Sequence, residues 1–225
     1  MHKHLFSGVL LAAALLLPSL GAAQSVDKRK LEMNILHKRL SLSDVKVYAR
    51  GKQQWQPLGR SVAKVRVVNL WAKSCAPCLA ELPVFAKVVE DTKRRHGSAV
   101  QFLFIADPPE QTAADEVVAF WQRPWADALA DKCPPTTGTA MEHDGVRSCL
   151  LKKLPEVEPA RSDTDALKRQ LDAMDESRPV TLLLDEQGVV RQALWGAVIG
   201  SPAELQSAID RLVGAVTGRP VGSAQ

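Results

Sequence analysis

The sequence predicts an α/β domain with a parallel sheet at its core, because apolar strand and helix patterns alternate along the chain. A near-continuous, valine-rich apolar run at 65–71 is typical of a central strand that is covered on both faces. An apolar stripe at helical spacing, which includes Leu79 and Leu82, follows it directly. A second apolar strand at 100–106 and a helical pattern at 112–121 continue the alternation. The order strand, helix, strand, helix indicates parallel strands with helices packed on the sheet.

Six further elements flank this core. They are an antiparallel pair at 45–49 and 55–58, a short helix at 163–174, a hairpin that joins 180–184 to 189–195, and a final helix that begins at Ser201-Pro202-Ala203-Glu204. The last sequence is a capping box with proline at the first helical position, which is a signature of a helix start.

The first 23 residues are typical of an export signal. Lys3 lies in the charged start, an apolar run covers 9–17, and small residues at 21–23 precede Gln24. The apolar run is much shorter than the ~20 residues that span a bilayer. We therefore expect cleavage of the signal and a periplasmic or secreted protein, with a retained N-terminal membrane anchor as the alternative.

Cleavage leaves about 200 residues, which is enough for one elaborated domain. Apolar residues at helical spacing predict an N-terminal helical extension over 24–44, and the domain itself is expected over 45–217. A segment rich in proline and threonine at about 126–160 is too long for an ordinary loop and is predicted to be an insertion. The tail at 218–225 is expected to be flexible.

The charge of the chain gives no indication of nucleic-acid binding. The net charge of +4 falls to +3 without the signal, because 28 basic residues then face 25 acidic ones. The basic residues are scattered along the sequence, as is usual for solvated helix faces. We therefore predict no nucleic-acid partner.

Cys75 and Cys78 stand between the predicted central strand and its helix. This position puts the sulfur of Cys75 at a helix N-terminus, where free backbone N–H groups favour a thiolate. Cys75 is thus the candidate nucleophile of thiol-disulfide exchange, and Cys78, one turn further on, is the candidate resolving cysteine. Pro77 restricts the turn, since its φ is already helical. The alternatives are an inert disulfide and a structural zinc site, but zinc requires a second ligand pair at similar spacing, and the chain has none.

A resemblance to the thioredoxin superfamily rests on the segment Trp71-Ala-Lys-Ser-Cys-Ala-Pro-Cys78. Pro83 stands where thioredoxins kink their first helix, and Pro179 resembles the proline of their cis-proline loop. The sequences Val68-Asn-Leu-Trp71 and Cys75-Ala-Pro-Cys-Leu-Ala-Glu-Leu-Pro83 are most similar to the TlpA-like periplasmic thioredoxins, which are commonly reductants. The resemblance covers 45–213 apart from the insertion. It implies a thioredoxin fold, a central mixed sheet flanked by helices, with an N-terminal extension and an insertion before the cis-proline loop.

The same resemblance implies which residues meet the substrate. Trp71, Pro77, Arg178 and Pro179 are expected to form the substrate-binding surface, with Arg178 near the reactive sulfur and Pro179 in the cis form. A guanidinium close to Cys75 would stabilise the thiolate and make the protein more oxidising. The alternative is an arginine that points to solvent beside the groove.

The chain departs from cytosolic thioredoxins at the proton acceptor. Those proteins have a buried aspartate two residues before the motif tryptophan, where this chain has Asn69. Glu81, three residues after Cys78, matches an acidic position of some TlpA-like reductants and is our candidate general base. The alternative is an ordinary glutamate in the first turn of the helix, favoured there by the helix dipole.

Cys133 and Cys149 form a second pair inside the insertion. They enclose fifteen residues with little apolar character, so a structural disulfide between them is expected to hold the segment together. A redox relay with Cys75, free thiols, or metal binding together with His143 are the alternatives.

These observations lead to two candidate functions. The first is an exported thiol-disulfide oxidoreductase that acts on cysteine-containing exported proteins. It is expected to be recycled by a redox partner, a membrane-bound one if the protein is a reductant. The second is a copper chaperone that uses the same cysteines. After signal removal the histidines are His37, His96 and His143, and none is near the motif, which disfavours copper. A peroxidase is disfavoured because peroxide-reducing relatives rely on a different local pattern. No cofactor or metal is predicted.

Overall fold

The computed structural model describes residues 35–106, 113–122, 154–162, 166–171, 179–195 and 202–218. The predicted export signal, Arg178, Cys133 and Cys149, and all but the first residue of the predicted tail lie outside the described residues.

Within the described residues, seven strands form one mixed sheet, accompanied by four α-helices. The strands are β1 (Val45–Ala49), β2 (Gln54–Pro57), β3 (Val65–Trp71), β4 (Val100–Ala106), β5 (Ala160–Ser162), β6 (Val180–Asp185) and β7 (Val190–Trp195). The helices are α1 (Ala76–His96), α2 (Ala114–Gln122), α3 (Ala166–Gln170) and α4 (Pro202–Thr217), and a 3-10 turn at Gly97–Ala99 joins α1 to β4. The strand order is β2-β1-β5-β4-β3-β6-β7.

The centre of the sheet agrees with the sequence prediction. Strand β3 pairs in parallel with β4, from Val65 opposite Val100 to Trp71 opposite Ala106. It pairs in antiparallel with β6, which continues into the hairpin with β7. The sheet is therefore mixed, with a parallel centre and antiparallel edges, as the family resemblance implies.

Alternate residues of β3 face opposite sides of the sheet and enter two separate cores. Val67 and Trp71 belong to the core that contains the apolar faces of α1 and α4, whereas Val68 and Leu70 belong to the core on the other face, which includes Leu167 of α3. A strand covered on both faces explains the near-continuous apolar run in its sequence. The two-sided covering of a mixed sheet agrees with the predicted fold class, a central mixed sheet flanked by helices.

The described part of the N-terminal extension differs from the predicted helix. Among residues 35–44, Ile35 alone is helical; the chain turns at His37 (φ 66°), and Arg39 then forms an antiparallel bridge with Val189. The N–H of His37 donates to the carbonyl of Val190 (2.9 Å), and the N–H of Val190 donates to Lys38 (2.9 Å). Strand β7, at the edge of the sheet, thus supplies hydrogen-bond partners for the backbone of this segment. The spacing of apolar residues in the sequence cannot reveal such pairing. Ile35 and Leu40 of the apolar pattern are buried nonetheless.

The last part of the predicted insertion belongs to the fold. Ala160, its final residue, begins β5, which lies between β1 and β4. Before it, Leu154 is buried in the core, and the carbonyl of Val157 accepts hydrogen bonds from Trp121 Nε1 (3.1 Å) and from Arg50 (3.1 Å). A strand of three residues is too short to show a period-two pattern, so the sequence could not reveal it.

Candidate active site

The cysteine motif lies where the central strand β3 gives way to helix α1. The N–H of Cys75 donates to the carbonyl of Ala72 (3.0 Å), which closes the turn after the strand. Cys75 is the N-cap of α1, and its sulfur accepts a hydrogen bond from the N–H of Cys78 (3.3 Å). Pro77, one of the first two residues of the helix, has no N–H that would need a partner there. The sulfur thus takes the place that capping oxygens occupy in other helices.

Cys75 and Cys78 are joined by a disulfide, with their Cα atoms 5.3 Å apart. Their exposure is unequal: Cys75 is partly exposed, whereas Cys78 is completely buried. Such an arrangement lets an external sulfur reach only the first cysteine. It is the asymmetry that a nucleophilic and a resolving cysteine require.

The charges along α1 favour an anion at its start. The first turn contains no acidic residue, and the last turn contains Lys93, Arg94, Arg95 and His96. The positive end of the helix dipole therefore faces Cys75 without a neighbouring carboxylate in that turn to oppose it. Gly97, with φ 55°, caps the other end of the helix.

Glu81 is completely buried beneath the motif and does not lie in the first turn of α1. The alternative of an ordinary first-turn glutamate is therefore wrong. Asn69 Nδ2 donates to Oε1 of Glu81 (2.7 Å) and also to the hydroxyl of Thr181 (3.2 Å). Asn69 and Thr181 are each 1% exposed. A three-residue polar cluster thus lies inside the apolar core, one helical turn from Cys78.

Trp71 is a core residue at the end of the strand that leads to the cysteine motif, and its side chain does not form part of the surface of the site. Its side chain is completely buried, and its ring packs against Phe120 (5.2 Å between ring centroids) and Trp121 (5.7 Å). The predicted role of Trp71 in contacting the substrate is not compatible with this position. A large aromatic side chain at the end of a central strand is instead used to fill the space between the sheet and α2.

Three prolines lie in or near the cysteine motif. Pro77 is exposed beside Cys75, and Pro83 lies within α1. Pro179 is buried and immediately precedes β6, one residue beyond the pair formed by Leu70 and Val180. The ladder between β3 and β6 therefore brings Pro179 to the end of the sheet from which the cysteine loop emerges.

Two features of the site were not predicted from the sequence. Thr181 joins the buried cluster, and its only sequence signal is a polar residue within the otherwise apolar start of β6. Lys73 forms an ion pair with Glu116 of α2 (3.1 Å), which ties the loop before Cys75 to that helix. Both side chains are about half exposed, so the pair adds little stability.

The described parts of the chain contain neither a metal-binding cluster nor a membrane-spanning helix. No group of three or more His, Cys, Asp or Glu side chains there is arranged to hold a metal ion. None of the described helices combines the length and the apolar character of a membrane span.

Comparisons with known proteins bear on the fold. No family model matches the chain, and no curated protein matches it. A reduced 2-Cys peroxiredoxin from Plasmodium vivax superposes with a TM-score of 0.53 at 13% identity, over 84% of this chain and 89% of that one. A thiol:disulfide interchange protein DsbE from Chlorobium tepidum gives 0.47 at 17% identity (80% and 98% covered), and StoA from Bacillus subtilis gives 0.44 at 14% (75% and 98%). At such identities the likeness concerns the fold alone. With the topology described above, this chain has the fold of the thioredoxin superfamily.

Proposed function

We propose that this chain is an exported thiol-disulfide oxidoreductase that acts on cysteines of exported proteins through Cys75 and Cys78. The observation that carries the proposal is the disulfide between a partly exposed cysteine at the N-terminus of a long helix and a buried cysteine one turn further on. A purely structural disulfide gains nothing from a helix N-terminus, whereas a thiolate is stabilised there.

In the reducing direction, the thiolate of Cys75 attacks one sulfur of a substrate disulfide. The substrate bond breaks, a mixed disulfide forms with Cys75, and the departing substrate thiolate takes up a proton. Cys78 then loses its proton and attacks the sulfur of Cys75, which releases the second substrate thiol and forms the Cys75–Cys78 disulfide. Two electrons pass from the cysteine pair to the substrate. The opposite direction reverses each step, and the potential of the pair relative to its partners sets the direction.

Glu81 is the proposed acceptor of the proton from Cys78. Both side chains are completely buried, so bulk water does not reach the thiol. Residues three apart on a helix lie on the same face, about 5–6 Å apart at Cβ. A carboxylate in that position can take the proton directly or through one water molecule.

The cellular setting follows from the sequence and forms part of the proposal. The N-terminal signal directs the chain to the periplasm or to the exterior, where protein disulfides persist. Each turnover leaves the cysteine pair in the wrong redox state for the next one. A redox partner must restore it, and for a reductant this partner is a membrane-bound electron carrier.

Reduction of insulin disulfides by dithiothreitol tests the proposal. The purified protein is expected to accelerate the reaction, and Cys75→Ser is expected to abolish the acceleration. Cys78→Ser should stop after the first step and accumulate a mixed disulfide at Cys75, detectable by mass spectrometry. The double variant Cys133→Ser/Cys149→Ser serves as a control and should retain turnover. Full activity of Cys75→Ser would refute the proposal.

The same protein can be tested for copper. Stoichiometric retention of Cu(I) without any reduction of insulin disulfides would favour the copper chaperone instead. Nothing in the described residues supplies a histidine near the cysteine pair, since His37 lies on the β7 edge and His96 ends α1. The oxidoreductase is therefore the function that the site supports best.

A further inference from the structure

We propose that Asn69 is a positioning residue that keeps Glu81 in the ionised, proton-accepting form, and that Thr181 orients Asn69. This inference rests on the proposed function. It concerns the second half of the exchange, in which buried Cys78 must lose a proton.

The backbone places the three side chains together. Asn69 and Thr181 are paired directly across the antiparallel ladder between β3 and β6, so their side chains leave the same face of the sheet. Helix α1 packs on that face and brings Glu81 to Asn69. The cluster thus links the strand before the cysteine motif, the helix after it, and the strand after Pro179.

The hydrogen bonds show which group of the cluster donates and which groups accept. Nδ2 of Asn69 donates to both Oε1 of Glu81 (2.7 Å) and the hydroxyl of Thr181 (3.2 Å), so both of its hydrogens are engaged. None of the three residues is more than 1% exposed, and water cannot take the place of the amide. A donor to the charged form of a carboxyl group favours ionisation and offsets part of the cost of burial.

An amide at position 69 also has an oxygen, Oδ1, that can accept a hydrogen bond from protonated Glu81. Oδ1 is buried and has no hydrogen-bond partner among the described residues. If the amide group of Asn69 rotates by roughly 180° about χ2, Oδ1 can accept a hydrogen bond from Glu81 once Glu81 is protonated. The hydroxyl of Thr181 can accept from the amide nitrogen or donate to the amide oxygen, so it can pair with Asn69 in both orientations. An aspartate in this place would instead set two carboxylates side by side, and each would oppose ionisation of the other.

The test is single-turnover reduction of a disulfide-bonded peptide by the reduced protein, followed from pH 5 to pH 9. Asn69→Leu keeps the approximate volume and removes the amide. Because Asn69→Leu removes a hydrogen bond to a charged group, the acidic limb of the pH profile for mixed-disulfide release should move up by at least about one pH unit. At the acidic end of the profile, release should be about tenfold slower. Attack by Cys75 in the first step should be unaffected.

A double-mutant cycle with Glu81→Gln shows whether Asn69 acts through Glu81. Asn69→Leu should have no further effect on release in the Glu81→Gln background. An equal fold-effect in both backgrounds, or an unshifted pH profile, would overturn the proposal. If Glu81→Gln itself releases the peptide at the normal rate, the proposal also fails, while dependence of turnover on Cys75 would still support the oxidoreductase function.

Thr181 gives a second, gentler test in case Asn69→Leu does not fold. Thr181→Val keeps the shape and removes the hydroxyl, so it should shift the acidic limb in the same direction by a smaller amount. Thr181→Ser keeps the hydroxyl and should restore the normal profile. Identical profiles for the valine and serine variants would contradict the orienting role of Thr181.

Discussion

Asp185 uses both carboxylate oxygens to organise the turn between β6 and β7. Oδ1 accepts hydrogen bonds from the N–H groups of Gln187 (3.0 Å) and Val189 (2.9 Å), and Oδ2 accepts from Nε of Arg191 (2.8 Å). Burial alone would raise the pKa of Asp185, but the Val189 N–H and the Arg191 guanidinium outweigh it and lower the pKa below its usual value. The ionised carboxylate therefore stabilises the folded state.

Asp185→Asn should lower the free energy of unfolding at pH 7 by about 1–3 kcal/mol, since it loses the charge and at least one of these bonds. The folded pKa is depressed, so the stabilisation is present above the unfolded pKa of ~3.9 and is lost as the pH falls through the folded pKa. Urea unfolding at pH 7 and at pH 3 should show a difference that shrinks at the lower pH. The neighbouring exposed Glu186 serves as a control, and Glu186→Gln should have little effect at either pH. A difference for Asp185→Asn that persists unchanged at pH 3 would argue against this account.

Gly188 occupies a conformation that favours glycine, in the same turn. Its φ is +79°, and a Cβ built there would lie 3.1 Å from the carbonyl oxygen of Leu40. Gly188→Ala should therefore destabilise the protein by about 1–2 kcal/mol or more, through backbone strain and displacement of the segment at 37–40. Gly51→Ala is the matched control, because nothing lies within 4 Å of its Cβ position and its φ is not positive. Equal melting temperatures for the two variants would contradict the argument.

The sequence could identify the sulfur chemistry but not its surroundings. Cys75 and Cys78 are recognisable because their spacing and the strand before them have a direct physical meaning. The burial of Glu81 and its contact with Asn69 depend on how α1 packs on β3, and the partnership of Asn69 with Thr181 depends on the register between β3 and β6. Neither packing nor register is encoded locally, so the sequence does not indicate the role of Thr181 or the burial of Trp71.

At the scale of elements, α1 contributes its N-terminus to the cysteine pair. A negative charge in its first turn would repel the Cys75 thiolate and so destabilise the reduced protein. Ala76→Glu, at an exposed first-turn position, should therefore make the pair more reducing by roughly 10–30 mV. Equilibration with glutathione measures the potential, and Ala76→Gln controls for the change of shape. A potential that is the same in both variants would mean that the field at the helix start does not act on the sulfur.

Elements with strong periodicity were predictable, and those held by backbone pairing alone were not. The strands β3 and β4 and the helices α1 and α4 carry long apolar patterns, and the structure has them where the sequence predicts. By contrast, β5 and the segment at 37–40 owe their conformation to hydrogen bonds with neighbouring strands. Their side chains would suit several conformations, and only the completed sheet selects one.

At the scale of the whole molecule, segments from distant parts of the sequence complete the sheet. The segment at 37–40 covers the start of β7, and β5 joins the hairpin of β1 and β2 to the central parallel pair. The predicted insertion therefore ends inside the sheet, at β5 between β1 and β4. We therefore expect a restraint on the insertion to stabilise the pairing of β5 with β4 as well.

A disulfide between Cys133 and Cys149 would supply such a restraint. For a loop of fifteen enclosed residues, chain entropy gives ~3 kcal/mol, and the sequence around it has few apolar residues to replace that stabilisation. The double variant Cys133→Ser/Cys149→Ser should thus unfold at a lower urea concentration, by about that free energy, while insulin reduction at 25 °C stays unchanged. Alkylation and mass mapping after mild reduction should find Cys75 and Cys78 free and the other pair still bonded. If the variant loses insulin reduction while it remains folded, Cys133 and Cys149 relay electrons to the active site, and their role is not structural.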